Sequence, residues 1–466
     1  MAELTGRDAG RLPGRPPGRR RVVVVGGGIS GLVAARDLAG HCDVTVLEAA
    51  GRLGGVLQRA DVGGLTVDLG AESMLARRPE GTDLARDLGL PLVHPATTTA
   101  SVATATGLSA LPAGTVMGVP RSAESVRGLL DPAAVERVRT EPERPATPLQ
   151  DDVSVAEYVA ERVGQDVVDR LVEPLLGGVY AGHARRLSLQ ATVPALWQHA
   201  RRGGSLLDGL GPAPAPGAPV FAGVDGGIAR LPVALAEDLR ARGADVRTGT
   251  PVHELTRTAT GWRVRTPDAV LEADAVVLAV PAPAAARLLA GPAPAAAAEL
   301  ADVETASMVI TALAVPVADL DGLTGSGVLV PPVVGAGRGL HVKALTLSGR
   351  KWEWVGDQSR ELAVLRVSLG RARETEALEA DDTDVVRWAT QDASALLGRA
   401  LHPVDHAVVR WVDGLPQYAV GHVDRVARLR AAVERVEGLA VCGSVLDGVG
   451  VPACIAAARR AAAAVA

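Results

Sequence analysis

The hydrophobic pattern predicts a βαβ unit at the start of the folded chain. Residues 21–25 form an almost uninterrupted valine run, which is typical of a strand buried on both faces. Glycines follow this run, residues 32–39 have helical periodicity, and residues 43–47 form a second strand-like segment. Two such strands joined through a helix require a right-handed crossover, so the pattern predicts a parallel sheet.

Strand and helix patterns alternate again in the second half of the chain. Helical periodicity dominates 120–205, above all 154–176, and it returns at 375–399 and at the C terminus. The other predicted strands cover 244–247, 261–265, 275–280, 303–315, 362–369 and 439–443. Because similar strand patterns lie at both ends of the chain, we expect one cofactor domain assembled from separated segments, with other lobes inserted between them.

Length and composition are those of a globular protein with two or three lobes. Of the 466 residues, 48% are hydrophobic and 22% are charged, and a formal net charge of −5 gives no reason to expect nucleic acid as a partner. No apolar run is convincing as a signal peptide or a transmembrane segment, which predicts a cytoplasmic protein. The three cysteines, Cys42, Cys442 and Cys454, fit that reducing compartment as buried thiols.

Two segments rich in glycine and proline are predicted to contribute no core. Residues 1–20 also carry many arginines, and we expect a disordered tail there, with membrane or anion contact as the alternative. Residues 209–220 are predicted to form an extended connector.

A G-x-G-x-x-G motif follows the first predicted strand directly. Gly26 permits a tight turn, Gly28 lets the backbone approach a pyrophosphate, and Gly31 allows close packing of helix and strand. The amides at the start of the helix then face the phosphates. Glu48 ends the second strand, where its carboxylate accepts hydrogen bonds from ribose hydroxyls and disfavours NADP. A glycine turn with a purely structural role is the alternative.

Further glycine turns make the pattern more specific. The segment 48–55 reads E-A-A-G-R-L-G-G, 68–73 reads D-L-G-A-E-S, and 443–452 reads G-S-V-L-D-G-V-G-V-P. Together with the first motif, these segments resemble the flavin amine oxidase and porphyrinogen oxidase superfamily. Within it, the chain looks most similar to the oxygen-dependent protoporphyrinogen and coproporphyrinogen oxidases, through 70–74, 171–182, 221–231, 351–352, 366–371 and 416–422. The resemblance extends in order over about 22–465.

The resemblance implies a fold class of α/β plus α+β. It consists of a Rossmann-like, amine-oxidase-like FAD-binding domain, an inserted substrate-binding sheet domain and a helical domain. The discontinuous FAD-binding domain is predicted from 21–95, 221–295 and 415–466, the helical domain from 96–208, and the substrate-binding domain from 296–414.

The resemblance also implies which residues contact the ligands. The FAD contacts would be Gly26, Gly27, Gly28, Ile29, Ser30, Gly31, Leu32, Glu48, Ala49, Arg52, Gly70, Ala71, Glu72, Ser73, Val252, Val449, Gly450 and Val451, with Val252 meeting the adenine through its backbone. Gly178 would bring backbone close to the tetrapyrrole, and Arg78 would pair with a substrate propionate unless it is a solvated surface residue. Gly177 stands where some relatives carry Arg. His422 would lie near the site, although a structural hydrogen bond is favoured.

The function implied is that of an FAD-dependent oxidase which aromatises coproporphyrinogen III with O2 and releases H2O2 in haem biosynthesis. Protoporphyrinogen IX is the alternative substrate; a flavin amine oxidase or desaturase, or a flavin-free binding protein on the same fold, are the remaining alternatives. We expect no metal site, no covalent nucleophile and no dedicated catalytic side chain. Ferrochelatase is the expected recipient of the product, and peripheral contact with a membrane stays open.

Overall fold

The computed structural model describes residues 18–211 and 219–466. Most of the predicted tail (1–20) and of the predicted connector (209–220) lies outside the described residues. No helix in the described ranges combines the length and the apolar character needed to cross a bilayer. Cys42, Cys442 and Cys454 are all buried free thiols, as predicted.

The strands of the described ranges are numbered β1 to β20 in chain order. They are Arg21–Val25, Asp43–Leu47, Arg59–Val62, Leu65–Asp68, Met74–Leu75, Leu92–Val93, Ser101–Ala103, Leu108–Ala110, Phe221–Val224, Asp245–Arg247, Glu254–Thr258, Gly261–Arg265, Val270–Ala273, Ala275–Leu278, Thr305–Pro316, Gly327–Leu329, Val342–Leu347, Leu362–Leu369, Asp405–Pro416 and Leu439–Val441.

The α-helices of the same ranges are numbered α1 to α19. They are Ile29–Ala39, Pro79–Asp87, Pro132–Arg139, Val155–Val163, Gln165–Val167, Glu173–Tyr180, Leu189–Thr192, Pro194–Ala200, Leu206–Gly209, Arg230–Ala241, Ala282–Leu289, Pro294–Ala301, Pro332–Arg338, Ser348–Lys351, Glu353–Gly356, Glu376–Glu379, Asp382–Leu397, His422–Glu434 and Val451–Val465. Short 3-10 turns lie at Glu124–Val126, Glu141–Glu143 and Val317–Leu320, and a π-helical turn at Val168–Val172.

A five-stranded parallel sheet has the order β10-β2-β1-β14-β20 and takes its strands from three separated parts of the chain. The predicted strands at 21–25 and 43–47 are confirmed, and Val22 to Val25 are buried. Helix α1 begins at Ile29, three residues before its apolar pattern becomes clear in the sequence. Because all five strands run the same way, β1 and β20 deliver their following helices, α1 and α19, to the same edge of the sheet.

A seven-stranded sheet has the order β19-β15-β18-β17-β16-β7-β8 and is antiparallel except for the β16–β7 pair. Its strand 362–369 is confirmed with the predicted bounds. One face packs on α17, and the other packs on the β3–β4 hairpin. Strands β7 and β8 extend this sheet although they lie in a range that the sequence predicts to be largely helical.

Two predicted helices are interrupted. The stretch 154–176 is broken after α4 at Gly164, which has a φ of +103°, and continues through the π-helical turn into α6. The single helix predicted over 375–399 is wrong: α16 ends at Glu379, and α17 begins after Asp381. The Asp381 side chain accepts a hydrogen bond from the Asp384 amide, and such an N-cap favours a new helix start over continuation.

Candidate active site

The glycines of the β1–α1 turn differ in how much free space lies where a Cβ atom would be. A Cβ on Gly26 would lie 2.4 Å from the Ala279 carbonyl oxygen, and a Cβ on Gly31 would lie 1.8 Å from the Gly26 oxygen. Protein packing alone therefore demands glycine at both positions. Gly28 has an ordinary φ of −73°, and the nearest atom to its Cβ would be the Gly55 Cα at 4.0 Å. The space over Gly28 is thus the open one in this turn, as close approach of a ligand requires.

Glu48 is bound to the same turn. Its carboxylate accepts hydrogen bonds from the amides of Gly27 at 2.6 Å and Ala50 at 2.8 Å. Two carboxylate oxygens can accept about four hydrogen bonds, so acceptor capacity remains for a ribose. The predicted contact of Glu48 and Ala49 with FAD stays a prediction, but the structure places both residues beside the glycine turn.

The segment around Arg52 lies against the first turn. The Gly54 amide donates to the Gly27 carbonyl at 2.8 Å, which joins the two glycine segments. Arg52 donates to the Gly55 carbonyl at 2.8 Å, and its guanidinium lies 5.7 Å from the Trp411 ring centroid. Burial lowers the pKa of Arg52. A phosphate beside this cation would relieve that penalty.

The C-terminal glycine turn meets the first one. Gly450 is the N-cap of α19 and Gly28 is the N-cap of α1, and neither helix has a side-chain cap. The Ser30 hydroxyl donates to the Cys454 carbonyl at 3.4 Å, so the first turns of the two helices touch. Both helix starts therefore offer free amides and a positive dipole end at one place. The predicted contacts at Ile29 to Leu32 and at Val449 to Val451 all belong to these two starts.

Val252 also lies near Glu48. The Thr250 amide donates to the Glu48 carbonyl at 2.8 Å, which ties the approach to Val252 to the end of β2. Within residues 18–211 and 219–466, the half-buried Val252 backbone has no hydrogen-bond partner. An adenine edge could use such free groups, as the sequence predicts.

Glu72 is engaged in a largely buried ion cluster with Lys351 and Arg366. Its carboxylate accepts hydrogen bonds from both cations, and Arg366 also donates to the Gly70 carbonyl at 2.8 Å. Burial alone would raise the pKa of Glu72, but the two cations lower it to about 2. The cluster fastens the turn at Gly70 to Ser73 to the seven-stranded sheet and carries one net positive charge. The sequence indicates all three residues only through the resemblance, without indicating that they pair.

The two predicted substrate contacts lie on different elements. Gly178 is an exposed residue of α6, and its Cβ would lie 3.8 Å from the Leu329 side chain. Arg78 is the N-cap residue of α2, and its partly exposed guanidinium pairs with Glu80 at 2.6 Å. A propionate at Arg78 would have to compete with that carboxylate. In the described part of the chain, no hydrogen bond joins Arg78 to Gly178.

Tyr418 and His422 brace the C-terminal turn, a role that sequence reasoning missed for the tyrosine. Their rings stack with centroids 3.9 Å apart. The Tyr418 hydroxyl donates to the Ser444 carbonyl, and the His422 Nε2 lies 3.3 Å from the Leu446 carbonyl. Burial lowers the pKa of His422 to about 4, so the ring is neutral at pH 7. The structural hydrogen bond favoured for His422 is confirmed.

Comparison with known proteins shows the family to which this chain belongs. Residues 29–466 match the family described as flavin containing amine oxidoreductase. The chain belongs to this family. The fold class predicted from the sequence is confirmed, and FAD is the cofactor. Among the described residues, no group of three His, Cys, Asp or Glu side chains could hold a metal ion.

Relatives of this flavin-containing oxidoreductase match over nearly its whole length. A coproporphyrinogen III oxidase from Mycobacterium tuberculosis is 43% identical, covering 95% of this chain and 96% of the relative, and one from Bacillus subtilis is 29% identical, covering 94% and 96%. A solved protein from Exiguobacterium sp., named a candidate protoporphyrinogen oxidase, is 31% identical with a TM-score of 0.84, covering 95% and 98%. Cyclohexylamine oxidase from Brevibacterium oxydans shares the fold, with a TM-score of 0.70 at 16% identity and coverage of 96% and 99%.

The residues of the oxidoreductase fit a flavin dinucleotide. The open space over Gly28, the uncapped starts of α1 and α19, and the nearby guanidinium of Arg52 are suited to an anion at this edge of the sheet. Glu48 and the free Val252 backbone lie on the side where β2 ends, as a bound nucleoside requires. The two glycine turns therefore lie in contact and together are suited to a dinucleotide.

Proposed function

We propose that this chain is an FAD-dependent coproporphyrinogen III oxidase of haem biosynthesis. The overall reaction is coproporphyrinogen III plus three O2 giving coproporphyrin III plus three H2O2, which removes six electrons and six hydrogens from the macrocycle. The observation that carries the proposal is 43% identity, over 95% of this chain, to the mycobacterial coproporphyrinogen III oxidase. The converging glycine turns support it, because the starts of α1 and α19 lie in contact and both suit one flavin dinucleotide.

Bound FAD would supply the two-electron acceptor for each cycle and pass the electrons to O2. The amides at the start of α1 would bind the pyrophosphate, and Arg52 would offset its charge. The amides at the start of α19 would orient their positive dipole end toward the flavin ring, where they favour negative charge. The Tyr418–His422 pair holds the turn before α19 in place.

The described residues near the site support a reaction without a dedicated acid or base. Glu72 is ion-paired with Lys351 and Arg366 and has a pKa of about 2, so it is a poor proton acceptor near pH 7. His422 is buried and bound to the Leu446 carbonyl. The chain would therefore act by binding, orienting and excluding water, while the cofactor carries the redox step.

Coproporphyrinogen III, with four propionates, is the proposed substrate, and protoporphyrinogen IX, with two propionates and two vinyl groups, is the second candidate. The second is favoured by the Exiguobacterium structure and by a protoporphyrinogen oxidase from Macaca fascicularis at 30% identity. The mycobacterial relative is more similar in sequence and gives coproporphyrinogen III the preference.

The test is a direct comparison of substrates with the purified, FAD-loaded protein. Porphyrin fluorescence and H2O2 release are followed with coproporphyrinogen III, protoporphyrinogen IX, putrescine and cyclohexylamine. We expect three H2O2 per porphyrin, a higher kcat/KM for coproporphyrinogen III, and no turnover of the amines. Equal or reversed preference would overturn the substrate assignment. Amine turnover without porphyrinogen turnover would overturn the proposed reaction class.

We further propose that the enzyme works in the cytoplasm, touching a membrane at most peripherally, and passes its product to ferrochelatase. The three free thiols fit a reducing compartment. Fluorescence transfer of coproporphyrin from enzyme to ferrochelatase, faster than its release into buffer, would support the hand-over; transfer at the buffer rate would contradict it.

A further inference from the structure

Lys343 is a buried cation without an anionic partner. It lies on β17, is 4% exposed, and its Nζ is 3.9 Å from the Met308 sulfur. Among the described residues, no carboxylate lies within ion-pairing distance of this ammonium. Burial above all, together with the nearby charge of Arg371, lowers the pKa of Lys343 to about 7. Proteins seldom bury a lysine completely unless it is paired, so this position requires an explanation.

Arg371 is a second buried cation beside it. The residue follows β18, is 6% exposed, and donates one hydrogen bond, at 2.9 Å, to the Val330 carbonyl. Its buried Nε has no partner within 18–211 and 219–466. Glu374 is 3.9 Å away and largely solvated, so it only partly balances the guanidinium. Both side chains therefore have N–H groups inside the protein that donate no hydrogen bond to the described residues.

The Lys343 ammonium lies on the face of the seven-stranded sheet that is opposite α17. On β18, Leu365 and Val367 pack toward α17, and the intervening Arg366 points to the opposite face, where it binds Glu72. Met308 alternates in the same way with Val309 of the α17 face, so the contact between Met308 and Lys343 puts the ammonium on the Arg366 side.

Helix α6 covers this pair of cations. A Cβ on Gly177 would lie 3.5 Å from the Arg371 Nε, so the backbone of α6 lies next to the guanidinium with no side chain from this position between them. Gly178, the predicted tetrapyrrole contact, is the next residue. Leu329 and Val330 add apolar surface next to the two cations. Two positive charges in apolar surroundings fit a carboxylate carried by a large apolar body.

We propose that Lys343 and Arg371 form a subsite that binds one propionate of the porphyrinogen. This inference rests on the proposed function. The carboxylate would accept hydrogen bonds from the unpaired N–H groups of both side chains. Its negative charge would balance their positive charge.

The decisive variant is Lys343→Met, which keeps most of the unbranched side chain and removes its charge. We expect the KM for coproporphyrinogen III and the Kd for coproporphyrin III to rise at least tenfold, while FAD content is unchanged. Thermal stability should hold or increase, because an unpaired buried charge is removed. Lys343→Arg should restore much of the affinity. Arg387→Gln, on the exposed side of α17 behind the same sheet, is the matched control and should change neither constant.

Fluorescence titration with coproporphyrin III and with its tetramethyl ester separates charge recognition from fit. The wild type should bind the free acid more tightly than the ester, and Lys343→Met should lose most of that difference. If the wild type oxidises coproporphyrinogen III and Lys343→Met binds the free acid as tightly as the wild type does, the subsite is overturned but the proposed function is not. A wild type that holds FAD but neither binds nor oxidises the porphyrin compounds would overturn the proposed function and the subsite with it.

Discussion

The variant Gly28→Ala tests whether glycine is required at position 28 by a bound ligand or by packing within the protein. The Cβ meets no protein atom closer than 4.0 Å, and the φ of −73° suits alanine. The gain from a stiffer unfolded chain, about 0.4–1 kcal/mol, roughly offsets the poorer N-cap, so the stability of the apoprotein should change by less than about 1 kcal/mol. A pyrophosphate at this backbone would lose one or two charge-assisted hydrogen bonds, worth about 3 kcal/mol, or roughly 100-fold in Kd.

The assay is titration of apoprotein with FAD, followed by quenching of flavin fluorescence, with thermal unfolding of the apoprotein in parallel. Gly40→Ala is the matched control, since Gly40 ends the same helix with a φ of −65° and open space; its FAD affinity should stay at the wild-type value, and its unfolding temperature should hold or rise slightly. Gly31→Ala, whose Cβ would lie 1.8 Å from the Gly26 oxygen, should instead destabilise the apoprotein. An FAD Kd for Gly28→Ala within threefold of wild type would refute the placement of the pyrophosphate.

Three further variants test other parts of the site. Glu48→Gln should weaken FAD binding about tenfold in the same titration, because it removes a charged acceptor from the Gly27 amide; unchanged affinity would remove Glu48 from the ribose site. Glu72→Gln should lower the free energy of unfolding by about 1–3 kcal/mol in denaturant titrations, since it leaves the largely buried Lys351 and Arg366 without a counter-charge; no measurable loss would contradict the ion cluster. His422 has a folded pKa of about 4 against 6.5 unfolded, so its contribution is complete above pH 6.5 and is lost as pH falls toward 4, by up to about 3 kcal/mol. His422→Asn should flatten the Tm profile over that range, and an unchanged slope would assign the acid sensitivity to other groups.

Local patterns in the sequence predict the β1–α1–β2 unit and its glycine motif well, because strand burial, turn geometry and helix start are all encoded within about thirty residues. The local sequence also signals the break before α17, because Asp381 is a typical N-cap residue whose side chain accepts from the Asp384 amide. The helical periodicity continues through this stretch, so the pattern alone does not show the break. The predicted domain boundaries and ligand contacts remain predictions.

Long-range pairings could not be predicted in this way. Glu72 meets Lys351 and Arg366 across 279 and 294 residues, and nothing in their local sequences indicates opposite charges that must meet. Lys343 appears in the sequence as an ordinary lysine in a strand, and only the assembled sheet shows that it is buried beside Arg371. Burial and pairing of charges depend on which strands become neighbours, so they require the tertiary structure.

The most direct test of the account is a crystal structure of the FAD-bound protein. The account predicts the pyrophosphate within hydrogen-bonding distance of the amides at the start of α1, and the flavin ring against the amides at the start of α19. A flavin bound elsewhere, or one that contacts the α1 start while lying remote from Gly450, would contradict it.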